Sequence, residues 1–364
     1  MTIAAMLLVN DPGSWEHIYW PLEHAPWHGW TPTDLIFPFF LFIVGITTHL
    51  SLSKRDPKTV TAKIIRRGLL IVLVGLLLNA FPFFWWGKIA GNPDPTFLDR
   101  VVYRAQHLRF LGVLQRIGIA YIAAALLTLR TTLKQQLAII AVILFGYWAV
   151  MTLIPGYTLD EPSQTLAAAT DRAILGTNHI WASSKTWDPE GPLSTLPAIA
   201  TAMLGVIAGR WIARRDEPLP RRINVLFVAG VLGLVAGEVW GLLFPINKNL
   251  WTSSYVVFTA GFACVILAVC LWLIDVRQWR GWTKPFVIYG VNPLVAFAGS
   301  GLMARCIDSL FKVSKKSLHQ LSYEHWFGPY FPEKFASLLW GLCFVALWLG
   351  ILAVLHRRNI VVKL

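Results

Sequence analysis

Residues 253–274 read SSYVVFTAGFACVILAVCLWLI, twenty-two residues without a formal charge. A helix needs about 20 largely apolar residues to cross the hydrocarbon core of a bilayer. One that is apolar on every face has no side to show to water, so this stretch reads as a membrane span. Working outward, comparable stretches lie at 35–53, 62–81, 110–129, 136–153, 194–212, 223–243, 286–305 and 336–355. The opening MTIAAMLLVN is apolar but too short to cross, and it lacks the charged start of a signal peptide. It reads as the outer half of a first helix that is incomplete in this chain. The expected fold is an all-α polytopic bundle of about ten transmembrane helices, with 1–364 as a single domain.

Composition agrees with that reading. The chain is 56% hydrophobic and 14% charged, whereas a soluble domain carries about 25% charged residues. Its 18 tryptophans suit the two water–lipid interfaces, where indole rings accumulate. Cys264, Cys270 and Cys343 fall inside apolar runs, Cys306 follows another, and none forms a CxxC. They read as buried free thiols, neither a disulfide framework nor metal ligands.

Charge gives the orientation. Lys54, Arg55, Lys58, Lys63, Arg66 and Arg67 form a first basic hairpin, and Arg130 with Lys134 a second. Arg210, Arg214, Arg215, Arg221 and Arg222 form a third, Arg277, Arg280 and Lys284 a fourth, and Arg357, Arg358 and Lys363 close the chain. These alternate segments hold 19 basic and 4 acidic residues, a charge of +15; everything else holds 13 basic and 15 acidic, −2. Such asymmetry marks the cytoplasmic face of a membrane protein. Short basic hairpins between spans also make nucleic acid an improbable partner. The loops 10–34, 82–109, 154–193, 244–252 and 306–335 then face outside.

Those outer loops are rich in polar groups set among aromatic rings. Residues 22–30, LEHAPWHGW, place His24 and His28 just before an apolar span. WDPEGP (187–192) and PINKNLWTSSY (245–255) each lead into another. Asp188, Glu190, Asn247, Lys248 and Asn249 therefore gather at one membrane surface. Aromatic faces, carboxylates and amides suit a sugar, whose C–H faces stack and whose hydroxyls need donors and acceptors.

Several longer segments together resemble the heparan-α-glucosaminide N-acetyltransferase family, bacterial members most closely. They are HAPWHGWTPTDLIFPFFLFIVG (24–45), GVLQRIGIAY (112–121), WDPEGPLSTLPAIATAMLGVIAG (187–209) and PINKNLWTSSYVVFTAGFA (245–263), with VNDPGSW (9–15) and PFVIYGVNPLVAF (285–297) as weaker counterparts. The resemblance implies a multi-pass protein of the bacterial inner membrane. Its activity would be transfer of acetyl from cytosolic acetyl-CoA to the amine of an external glucosamine-type sugar, with no metal. It places the active histidine on His24 and the family's pocket asparagine on Asn10. The chain departs from the family's Lys-His-Ala-Ser-Trp-Asn-Gly pattern at Glu23, Pro26 and His28. A transporter of N-acetylglucosamine or related amino sugars, without catalysis, is the alternative. The expected partners are the amino sugar, the bilayer and, in a homodimer, a second copy.

Within that frame each residue has a chemical role. An imidazole exchanges protons near neutral pH, so His24 could deprotonate the sugar ammonium, or itself accept the acetyl group. The Asn10 amide could donate to the developing oxyanion. Asp34 could cap the following helix, orient His24 or bind substrate. Asp188 and Glu190 could bind hydroxyls and the ammonium, with Asn247, Lys248 and Asn249 beside them. Gln115 and Arg116, polar groups inside an apolar span, are functional by default, and with Asn292 are expected on the acetyl-CoA side. A structural Arg116–Glu238 pair stays open.

Overall fold

The computed structural model describes residues 1–53, 55–313 and 316–362. Lys54 and Lys363, counted above among the basic residues, lie outside the described residues. The first half forms α1 (Thr2–Asn10), α2 (Ile36–Leu52), α3 (Pro57–Ala80), α4 (Phe97–Gln106), α5 (Val113–Arg130), α6 (Leu133–Leu153) and α7 (Leu166–Leu175). The second half forms α8 (Pro192–Ile212), α9 (Leu219–Gly241), α10 (Ser253–Leu271), α11 (Lys284–Val291), α12 (Pro293–Arg305), α13 (Leu318–Trp326) and α14 (Glu333–Arg357).

Seven of the described helical segments are long and apolar enough to cross a membrane, and they become eight if one sharply bent pair of helices forms a single span. The break falls at Asn292–Pro293, where the two halves bend by 74°. Proline removes a backbone donor there and its ring clashes with the preceding turn. Two expected spans fall short of the others. α1 has nine residues, and α3 carries Lys58, Lys63, Arg66 and Arg67 along its first half. All four cysteines are free thiols, but none is fully buried: Cys264, Cys270 and Cys306 are half-buried, and Cys343 is exposed along α14.

The chain divides into two compact units. One comprises residues 1–25, 30–40 and 277–364, the other 26–29 and 41–276. In the second unit glycines let helices touch through their backbones, as small residues do where no solvent drives apolar association. A Cβ on Gly45 would lie 1.9 Å from the Ala202 carbonyl oxygen, and one on Gly205 2.0 Å from that of Phe42. Phe42 thus meets Gly205, while Ile46 and His49 meet Gly209, so α2 and α8 run parallel. Gly68 with Gly118 joins α3 to α5 in the same way, and Gly230, Gly237 and Gly261 join α9 to α10. In the first unit Gly13 fits under Tyr323 and Trp340, and Gly341 lies against Leu8 and Asp11.

Candidate active site

Thr31-Pro32-Thr33-Asp34 opens the helix that leads into α2. Thr31 caps a 3-10 turn over Pro32–Leu35, and the Asp34 side chain returns to the Thr31 backbone, a capping box with proline in its first turn. The same carboxylate does a second job. Asp34 Oδ2 accepts from the backbone N–H of Ala25 and of Thr31, both at 3.0 Å. Asp34 Oδ1 is 2.6 Å from His24 Nδ1. The Thr31 hydroxyl donates to the Glu23 carbonyl at 2.5 Å, tying the histidine loop to the start of the helix. Asp34 is 1% exposed and His24 about half exposed.

This geometry fixes the imidazole. A carboxylate accepts, so His24 Nδ1 carries the proton and Nε2 is the basic nitrogen, turned away from Asp34. A buried acid holding the ring of a more exposed histidine is the arrangement that orients a general base and stabilises its imidazolium. Asp34, expected among the substrate ligands, is seen here with His24, Ala25 and Thr31 of its own segment.

His28 differs from His24. Its Nδ1 lies 3.3 Å from Asn247 Nδ2, which can only donate, and its Nε2 3.2 Å from Asp160 Oδ1. Both ring nitrogens are thereby committed, which removes the lone pair that a base needs.

The WDPEG turn sits in the second unit, where Arg109 claims it. Arg109 Nε donates to Asp188 Oδ2 at 2.8 Å, and its Nη2 reaches Asp188 Oδ1 and Glu190 Oε2, each at 2.5 Å. Burial alone would push the Glu190 carboxyl up, but Arg109, Arg116 and Lys248 outweigh it and hold it low. Burial likewise opposes the Arg109 charge, and the two carboxylates overcome it and hold that guanidinium high. Three cations thus act on the two carboxylates that were expected to meet an ammonium. Beneath the turn, burial pushes Asp171 up to about 7, with the Asp188 charge adding to it. Asp171 Oδ2 accepts from the Asp188 N–H at 2.8 Å. A Cβ on Gly191 would fall 2.1 Å from Asp171 Oδ1, so glycine is required where the turn enters α8.

Arg116, in the first turn of α5, points into the same unit and away from Glu238, which is exposed on α9. Its Nη2 donates to Ser194 Oγ at 2.5 Å, and its guanidinium lies 4.9 Å from the Trp251 ring centre. The open Arg116–Glu238 pair is therefore not formed. Trp251 is held at φ 53°, a left-handed conformation that costs a bulky residue strain, and its indole donates to Thr201 Oγ1 at 3.0 Å. Gln115 is buried against α3, where a Cβ on Gly75 would come within 2.5 Å of its Oε1.

The remaining expectations separate into exposed and structural residues. Asn10 ends α1, exposed, in the same unit as His24. Asn247 is fully buried and accepts from the Leu250 N–H at 2.9 Å. Its side-chain oxygen shapes the turn into α10. Lys248 and Asn249 are half-buried. Asn292, expected with the cofactor, instead spends both amide edges on the chain's end, donating to Ile360 O and accepting from the Val362 N–H, each at 2.9 Å.

Two residues escaped the sequence reading. Arg109 lies 79 positions from Asp188, with Arg100 and Arg104 as equally plausible basic neighbours, and nothing local marks it. Asp11, beside Asn10, is pushed up to about 7 by burial and by the Asp308 carboxylate, against the charges of His319 and Arg305. Its place directly after the apolar start was the available signal.

A family model described as "Heparan-alpha-glucosaminide N-acetyltransferase, catalytic" matches residues 3–236. The chain is similar to the heparan-alpha-glucosaminide N-acetyltransferases of Mus musculus, at 27% identity, and of Homo sapiens, at 28%. Each alignment covers 100% of this chain and 59% or 58% of the relative, so the chain spans about three fifths of the length of these curated relatives.

Proposed function

The chain belongs to the heparan-α-glucosaminide N-acetyltransferase catalytic family, and from that premise we propose that it moves acetyl from acetyl-CoA to the amine of an amino sugar across a bacterial inner membrane, with His24 as base. The observation that carries this reading is the 2.6 Å contact between exposed His24 and buried Asp34. The positive-inside rule puts the basic hairpins with the cytosolic acetyl-CoA and the His24 loop with the external sugar.

The chemistry follows from the fixed tautomer. The amine lone pair attacks the thioester carbonyl carbon as the N–H proton passes to His24 Nε2. The Asp34 carboxylate stabilises the imidazolium so formed. Collapse of the tetrahedral adduct breaks the C–S bond, and the departing CoA sulfur takes the proton back from Nε2. The amide and free CoA leave, and His24 returns to its starting form.

Purified protein should be stabilised against heat by acetyl-CoA and should acetylate glucosamine in its presence, read by mass spectrometry. Absence of both effects would contradict the reading and favour the transporter. Acetyl-CoA alone, followed by digestion, distinguishes direct transfer from an acetyl-His24 route. An acetylated His24 peptide would replace the base role with a nucleophilic one.

A further inference from the structure

At the far end of α8 from the WDPEG turn, the second unit carries another polar cluster. Arg210 lies 18 residues after Pro192, about 27 Å along a helix that rises about 1.5 Å per residue. Here α2 and α8 meet at Gly209, where a Cβ would stand 3.3 Å from His49 Cβ. His49 is 8% exposed. Its Nδ1 and the Nε of neighbouring Arg210 are buried, with no hydrogen-bond partner among the described residues. The Nε of Arg222 is in the same condition. Arg210 makes one long contact, 3.4 Å from its Nη2 to Gln136 Oε1. No described carboxylate pairs with it, since Asp216 and Glu217 are held by Arg214 and Arg221.

Buried donors are normally satisfied, yet Arg210, half-buried as a residue, keeps an Nε–H shut from water and unpaired. The positive-inside rule explains cations on this face but not an Nε–H on each of two of them enclosed without a partner. Arg210 Nε–H, together with His49 in the tautomer that protonates Nδ1, presents donors to an acceptor that the protein does not supply. The geometry points to a phosphoryl anion bound between His49 and Arg210, because guanidinium donors match phosphate oxygens in charge and direction. On the function proposed above, on which this assignment of source rests, the anion is a phosphate of CoA; the headgroup phosphate of an anionic lipid has the same chemistry.

Isothermal titration of the full chain with CoA tests this, using wild type, His49→Gln, Arg210→Gln and Arg210→Lys, with thermal melting as the check on folding. Loss of a charge-assisted hydrogen bond should weaken CoA binding at least about tenfold in Arg210→Gln. His49→Gln should weaken it less, and Arg210→Lys should bind more weakly than wild type because one ammonium replaces the fork. Equal CoA binding by wild type and every folded variant would overturn the site while leaving the transferase reading in place. If wild type binds no CoA, the transferase reading fails and the site is judged on lipid. Stabilisation by phosphatidylglycerol over phosphatidylcholine nanodiscs that disappears in Arg210→Gln supports a phosphoryl site, and stabilisation unchanged in the variant overturns it. Should the glutamine variants not fold, Arg210→Lys decides alone, with wild-type CoA affinity as the contrary result.

Discussion

At the scale of single residues, the Asp34 carboxylate governs the behaviour of His24. Asparagine at 34 would present an N–H to Nδ1, moving the imidazole proton to Nε2 and removing the base. Asp34→Asn should therefore lower acetyl transfer by about 10²–10⁴-fold, the usual range for loss of a general base. Adding His24→Ala should lower it little further, because the two residues act as one unit. Steady-state rates of the single and double variants check this, and additive losses would mean that Asp34 acts elsewhere. Asp11 allows a test by pH. Its carboxyl is pushed up from 3.8 to about 7, so the folded state favours the protonated form. The corresponding stability is fully present below the unfolded value and is lost as pH rises through about 7. Melting temperature should accordingly fall from pH 5.5 to pH 8 in the wild type, and Asp11→Asn should flatten part of that fall. An identical pH profile in the variant would show that Asp11 is not the group responsible.

At the scale of elements, close backbone contact between α2 and α8 sets where their polar ends fall. Gly205→Val would drive a branched side chain into the Phe42 carbonyl, 2.0 Å from the Cβ position. Overpacking of this kind costs about 1–3 kcal/mol, seen as a lower melting temperature or poor recovery from the membrane. Gly146→Ala, which meets open space on α6, should be tolerated and serves as the control; equal damage from both would argue against the contact. Much at this level was legible in the sequence. Long apolar runs revealed most of the spans, and the Asp34 expected to cap the following helix is the third residue of a capping box that Thr31 opens. Two other features were not legible, for a physical reason. The pairing of Arg109 with Asp188 and Glu190 joins segments about 80 positions apart, and local pattern carries no information on which of several loop arginines folds back. Asn247 read as a loop amide available to ligand because burial, which sends its oxygen to the Leu250 N–H, depends on packing.

At the scale of the whole molecule, the charge split of +15 against −2 should set the orientation. A cysteine introduced at Lys185 should react with an impermeant maleimide added to intact cells, and one at Arg215 should not; the reverse would put the WDPEG loop on the cytosolic side. Both positions belong to the second unit, so the pair of results stands without reference to the first. The central claim is that this membrane chain transfers acetyl through His24, and one comparison tests it most directly. Acetyl transfer to glucosamine is measured for purified wild type and His24→Ala, with acetyl-CoA binding followed on the same samples. The account predicts that His24→Ala keeps its affinity for acetyl-CoA and loses about 10²–10⁴-fold in turnover, while His28→Ala loses far less. A folded His24→Ala protein that acetylates glucosamine at the wild-type rate would contradict it.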